Sequence, residues 1–208
     1  MKQLITTILV ILTLNTYSQI DDTLSYYEEI CFFREWGGKL DEPVKFNRDI
    51  KIYVSGIPND TLINELEDII EELNWLITPI NIYIVDEKEI SNINIYFGGV
   101  KDYLKQLKCS KQELKYKKSR LKQNWGMFWV THNGGNIKHS EIFIDIYRTS
   151  TNKERMHLLR EELTQSLGFP NDSKKYPNSI FYSKWYEDTV EYSNIDKAII
   201  KLHYSSNN

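Results

Sequence analysis

Histidine and cysteine are scarce in this chain. It has four His and two Cys in 208 residues. The histidines stand at 132, 139, 157 and 203, and no two are four apart. An H-E-x-x-H zinc helix needs two imidazoles one turn apart on one face, so that site is excluded. Cys31 and Cys109 fit no zinc spacing. In an oxidising compartment they either close one long loop as a disulfide or stand as two separate thiols. Long apolar runs are nearly absent too. The longest, Leu4 to Leu14, is too short to span a bilayer, which takes roughly 20 residues. Nothing later approaches that length, so no transmembrane segment is expected after it. There is no internal repeat and no low-complexity tract. Ser-His-Asp triads and phosphate loops leave no local signature, and Gly134-Gly135 reads as a turn.

What is present begins with an export pattern. Lys2 supplies a positive charge, the run Leu4 to Leu14 follows, and Thr16-Tyr17-Ser18 offers small residues where a signal peptidase reads. Residues 1–19 are expected to be a signal peptide cut near Ser18 or Gln19. No Cys lies near the cut, so no lipoprotein anchor is expected. Residues 20–208 then form one exported domain of about 190 residues, periplasmic or secreted, large enough for a substantial core.

The net charge of −3 hides an uneven distribution. Lys101 to Lys122 carries nine basic and two acidic residues, a net +7, which leaves −10 for the remainder. The basic run, with Tyr103 and Tyr116, reads as a solvated helix or loop, so no nucleic-acid partner is expected.

Periodicity gives a coarse order of elements. Asp21 to Trp36 reads as a helix ending at Gly37-Gly38. Asp49 to Val54, Ile80 to Val85, Ile93 to Phe97, Trp125 to Val130 and Glu141 to Tyr147 read as strands. Asp60 caps a helix whose Leu62, Leu66, Ile69 and Leu73 form one apolar face. Thr151 and Glu154 form a capping box for a helix that ends at Gly168 and Pro170. Ser193, with Asp196 three residues on, starts a last helix. The fold class expected is α+β: a mixed sheet with helices on one side.

The helix before Gly168 carries the chemistry. Met156, Leu159, Leu163 and Leu167 fall on one side. His157, Glu161 and Gln165 are spaced i, i+4, i+8 along another stripe, with Glu162 beside Glu161. The stretch Glu161-Glu162-Leu163-Thr164-Gln165-Ser166-Leu167-Gly168-Phe169-Pro170-Asn171 keeps the spacing of the metzincin pattern H-E-x-x-H-x-x-G-x-x-H. Glu162 stands where the general base stands, and Gly168 where the chain turns back. Glu161, Gln165 and Asn171 replace the three histidines, and Asp172 follows. Such an oxygen set is weak for zinc and suits one harder divalent cation, Ca²⁺ or Mg²⁺, somewhat better. His157 adds a nitrogen donor one turn before Glu161.

On these residues the chain resembles a bacterial exported family classed as domain of unknown function 2927, itself similar to the zincin-like peptidases. The likeness runs from about Tyr26 to Tyr204. It rests on "FREWGGKL", "VKFNRDIKIYVSG", "LEDIIEELNWL", "INIYFG", "HLLREELTQSLGFPNDSKKYPNSIFY" and "YSNIDKAIIKLHY". The basic stretch 101–122 falls outside it and reads as a variable insertion. In that family the helix motif resembles E-E-L-T-Q-x-L-G, so the missing histidines are a family trait. The resemblance implies a zincin-like mixed sheet packed against an N-terminal half helix and an active-site-type helix, with a C-terminal helix. It implies no substrate.

The leading functional expectation is a non-catalytic or divergent peptidase-fold module. It would bind a peptide or an envelope polymer by strand addition along Glu141 to Tyr147, with Tyr147, Tyr182, Trp185 and Tyr186 as candidates to line the groove. One alternative is a metal-dependent hydrolase with Glu162 as general base; another is a structural or assembly protein of the envelope. A metal-free pair of Glu161 and Glu162 is disfavoured, because neighbours on a helix diverge by about 100°. Pairing of Glu161 with Arg148 or Arg160, and of Gln165 with backbone, would favour a structural role.

Overall fold

All five strand-like runs become strands, and they form one sheet. The computed structural model describes residues 21–35, 37–183 and 189–205. The expected signal peptide, Trp185 and Tyr186 lie outside the described residues. The strands are β1 (Ile50–Gly56), β2 (Ile82–Ile84), β3 (Ile93–Gly98), β4 (Gly126–Asn133) and β5 (Asn136–Asp145), in the spatial order β2-β1-β3-β5-β4. β2, β1, β3 and β5 run parallel, while β4 returns antiparallel to β5. The β4–β5 hairpin pairs Met127 with Phe143 and Trp129 with Glu141, with a register shift between Thr131 and His132.

Two expectations about the sheet change. Glu141 to Tyr147 is not an edge: β5 begins earlier, at Asn136, and lies between β3 and β4. Its central apolar residues Ile142, Phe143 and Ile144 are fully buried, as an interior strand with both faces covered requires. The edges among the described residues are β2 and β4.

Helices also cover both faces. On one face lie α1 (residues 21–32), α2 (Asp60–Leu76), α5 (Asn152–Ser166) and α6 (Asn194–Ser205). They bury Ile30, Leu66, Leu163 and Ile199 with Ile52, Ile95 and Ile142 of the sheet. The opposite face carries Tyr96, Met127 and Phe143, a second apolar layer. It is closed by Tyr103 of α3 (Val100–Gln106) and Leu121 of α4 (Lys111–Leu121). The basic segment is therefore a lid over the sheet with most of its charges outward. Lys117 is the exception: buried, it pairs with Glu141 and lies 4.4 Å from the Trp129 ring centroid. Helix α1 ends earlier than Gly37-Gly38, because Phe33 pairs with Lys39 across the turn that follows.

The two cysteines are not bonded. Cys31 is buried in the main core, whereas Cys109 sits half-buried in the connection between α3 and α4. Cys109 thus belongs to the 101–122 segment, whose helices α3 and α4 close the second apolar layer.

Candidate functional site

Helix α5 is placed from its first turn. Thr151 accepts from the Glu154 amide and the Glu154 carboxylate accepts from the Thr151 amide, completing the expected capping box. Leu159, Leu163 and Leu167 are fully buried against the sheet. The rest of the helix surface is also largely buried, although it is polar. Burying polar groups is costly unless each meets a partner, and two of the polar arcs do. Arg160 reaches across to α2, donating to Glu72 at 2.7 Å and Glu65 at 3.0 Å, and its guanidinium lies 4.6 Å from the Tyr192 ring centroid. Thr164 bonds the Arg160 carbonyl at 2.5 Å and the Tyr192 hydroxyl at 2.6 Å.

The third arc faces a cavity of about 420 Å³. His157, Glu161, Glu162 and Gln165 line it from α5, Asp172 from the segment after the helix, and Glu35 from the turn after α1. The opposite wall is the start of β4, Gly126 to Phe128, with Trp125 before it. Among the described residues no Lys or Arg lines it. The motif spacing thus brings Glu161, Glu162 and Gln165 to one cavity. Glu161 takes neither arginine: Arg148 is bonded to Asp145 at 2.6 Å, and Arg160 serves α2.

Three placements differ from the metzincin alignment. Asn171 does not face the cavity; its amide donates to the Glu29 carbonyl of α1 at 2.9 Å. The next residue takes its place, with Gln165 Nε2 donating to Asp172 Oδ1 at 2.6 Å. Gly168, at φ +119°, lets the chain double back far enough for that bond. Glu161 and Glu162 share one cavity despite their angular divergence, because β4 and the 170–172 segment close around both. Glu35 was not foreseen. It follows a helix, remote in sequence, and is brought in by a bond from its amide to the Pro170 carbonyl, 3.1 Å.

Zinc does not fit this set. One imidazole nitrogen faces the cavity, and among the described residues no group of three or more His, Cys, Asp or Glu is arranged to hold a metal ion. The electrostatics follow from that crowding. Burial, then Asp172, Glu162 and Glu35, hold the Glu161 carboxyl well above the usual carboxylate range. Burial, then Glu35 and Asp172, do the same to Glu162. Asp172 is pushed up to about 7 by burial and by Glu35, with the Gln165 bond opposing. His157 is shifted downward by burial. Its Nδ1 lies 2.6 Å from the Thr189 carbonyl, which only accepts, so Nδ1 carries the hydrogen. In the neutral ring Nε2 is then a lone pair, 3.5 Å from Glu161 Oε2.

Glu162 differs from its neighbours. It is 7% exposed, lines the cavity, and makes no hydrogen bond or ion pair among the described residues. Gly126 makes room for it: a Cβ there would meet Glu162 Oε1 at 2.5 Å and Cγ at 2.8 Å. Gly126→Ala is therefore expected to swing the Glu162 carboxyl off the β4 wall while moving the melting temperature by only about 3 °C. A crystal structure of the variant with Glu162 unmoved would refute this.

The chain belongs to the family described as "Protein of unknown function (DUF2927)", whose model matches residues 21–207. No curated protein matches the chain. Among solved structures, that of Myroilysin is similar at 10% identity with a TM-score of 0.46, covering 79% of this chain and 83% of that chain.

Proposed function

We propose that this protein is an exported binding module on a zincin-like, peptidase-type framework, and that it receives an extended peptide along β4, an edge strand among the described residues. A single observation carries the reading. β4 is an eight-residue edge strand, and its residues wall both the acidic cavity and a neighbouring cavity of about 320 Å³ whose apolar lining is bordered by Arg34 and Arg120. An added strand would find unpaired backbone groups beside it and side-chain pockets facing it, the two ingredients of recognition by strand addition. The parallel sheet with one antiparallel edge, the helix beside that edge and the E-E-x-x-Q-x-x-G spacing support the zincin-like framework. The pattern of residues 1–19 supports export, and an envelope polymer strand presenting amide groups would meet the same edge.

The test is capture of an unbiased decapeptide library by the purified protein, with hydrogen exchange measured on the bound complex. Protection of the amides of residues 126–133 is expected. Capture with β4 unprotected would sink the reading.

One observation favours a second reading, hydrolysis with Glu162 as general base: its carboxyl has no partner among the described residues and lies against the β4 wall where a bound backbone would pass. Mass spectrometry of the same library after incubation decides it. Cleavage abolished by Glu162→Gln supports hydrolysis, and cleavage that survives the substitution rules out Glu162 as the base.

A further inference from the structure

We infer that the acidic cavity is a subsite for a basic side chain, Lys or Arg, of the strand bound along β4, with an apolar side chain seated two residues away in the second cavity. This rests on the strand-binding reading and names its specificity.

The cavity has the shape and lining of a pocket for a long cationic side chain. Its floor is carboxylate: Glu161, Glu162 and Asp172, with Glu35 at the rim. Its walls include the apolar surfaces of Trp125, Met127, Phe128 and Leu158. An aliphatic stem with a charged head matches that division, stem against the walls and head among the oxygens. A bare metal ion matches it less well. A cavity of about 420 Å³ is far larger than an ion needs, and the carboxyl groups are not arranged as a metal-binding group.

Glu162 is the independent sign of a ligand. Glu162 is only 7% exposed as a residue, and its carboxyl lines the cavity with no partner among the described residues; a largely buried polar group needs a bond to offset lost hydration. Here Gly126 leaves it room against β4 rather than turning it outward. A cationic head on a strand beside Gly126 would supply the missing bonds.

The second cavity fixes the spacing. It shares Glu35, Met127, Phe128 and Gln165 with the first and extends along β4 to Val130 and His132. Leu40, Val44 and Pro170 give it an apolar lining from the loop before β1 and the turn after α5. Side chains two apart on a strand share a face, about 6.6 Å apart. Gly126, Phe128 and Val130 lie on the same side of β4 by that rule. A ligand strand would therefore place its basic residue beside Gly126 and its apolar residue beside Phe128 and Val130.

The experiment uses the full chain and three fluorescent ten-residue Ser/Gly peptides. One carries Lys and Leu two apart, one norleucine and Leu, and one Lys and Ser. The Lys/Leu peptide is expected to bind roughly tenfold or more tighter than the norleucine peptide. The advantage should shrink with added salt and disappear in Glu162→Gln and Asp172→Asn, two variants that remove charge without removing volume. Equal binding of the Lys and norleucine peptides overturns the subsite and leaves strand binding standing. Binding by none of the three, when the unbiased library also fails to bind, overturns both. A Lys preference that persists in both variants overturns the assignment to this cavity. Displacement of the Lys peptide by stoichiometric Ca²⁺ or Zn²⁺ would make the cavity a metal site instead, and overturns it too.

Discussion

Between pH 6.5 and 8.5 the ligand-free protein is expected to lose stability, with its melting temperature falling by roughly 5–10 °C at low salt. The sign follows from the cavity carboxyls. Glu161, Glu162 and Asp172 all have folded-state pKa values raised above those of the unfolded chain, Asp172 to about 7. Between the two values the folded state holds more protons, so stability declines as pH rises. Each retained proton contributes a slope of up to about 1.4 kcal/mol per pH unit. The opposing groups act at lower pH. Burial depresses His157, and holds His203 at about 3. Their contributions to stability are full above the ordinary histidine value and are lost as pH falls through the interval below it. Above pH 6.5 they are silent, so the decline up to about pH 8 reports the carboxyls, before the buried Cys31 thiol, also raised by burial, adds to it. Tyr182 and Glu35 also line the cavity and are part of its field. Glu162→Gln is expected to flatten the decline and to melt several degrees higher than the parent at pH 8. Thermal melts of both proteins at half-unit pH steps check this, and parallel curves would show that Glu162 is not under electrostatic pressure. A stability gain on removing a site residue is the familiar signature of a functional group held at structural cost.

Gly168→Ala is expected to be among the most damaging single substitutions in the chain. A Cβ there would lie 1.9 Å from the Val44 carbonyl oxygen, 3.1 Å from its carbon and 2.6 Å from His203 Nε2. The residue also sits at φ +119°, where an L side chain is strained even in open space. Neither neighbour yields easily. Val44 O is bonded by His203 Nε2 at 3.1 Å, and the adjacent Leu167 carbonyl accepts from Tyr204 at 2.8 Å. His203 and Tyr204 are buried, so α6 would have to shift as a unit. A loss of about 3–5 kcal/mol is expected, which for a chain of this size is roughly 10 °C or more in melting temperature. Urea titration measures it directly, and a change under about 1 kcal/mol would mean that this junction repacks freely. The same substitution should release Asp172 from Gln165, because the reversal at Gly168 is what returns the chain to the cavity.

The parts of this molecule that sequence revealed are those set by local rules. The strand periodicities, the Thr151–Glu154 box and the Ser193–Asp196 start of α6 all follow from neighbours a few residues apart. Glu161, Glu162 and Gln165 come to line one cavity for the same reason. What sequence hid depends on tertiary closure. Glu35 belongs to the cavity only because its amide meets Pro170, more than a hundred residues on. Asn171 and Asp172 are adjacent, and only the position of α1 decides which of them faces inward. The role of Gly126 is invisible until Glu162 is placed against it. Helices on both faces were likewise hidden: the expected sheet carries helices on one side, yet Tyr96 of β3 packs into a second core on the other.

The edge of β4, unpaired among the described residues, has a consequence for the protein on its own. An unpaired strand edge is a template for another copy of the same strand, and an exposed edge is a route to aggregation. The two edges here are blunted differently. β2 is only three residues long, too short to seed a stable ladder. β4 is longer, but its pairing register breaks between Thr131 and His132, and such an irregularity twists an edge out of flat alignment with a second copy. The straight portion left, Gly126 to Val130, begins beside the acidic cavity, for which the same strand of a second copy, with no Lys or Arg in residues 126–133, supplies no cationic side chain. The feature that would admit a foreign strand thus discourages self-assembly, and solutions of the protein should remain monodisperse at concentrations where a flat, neutral edge of equal length would precipitate.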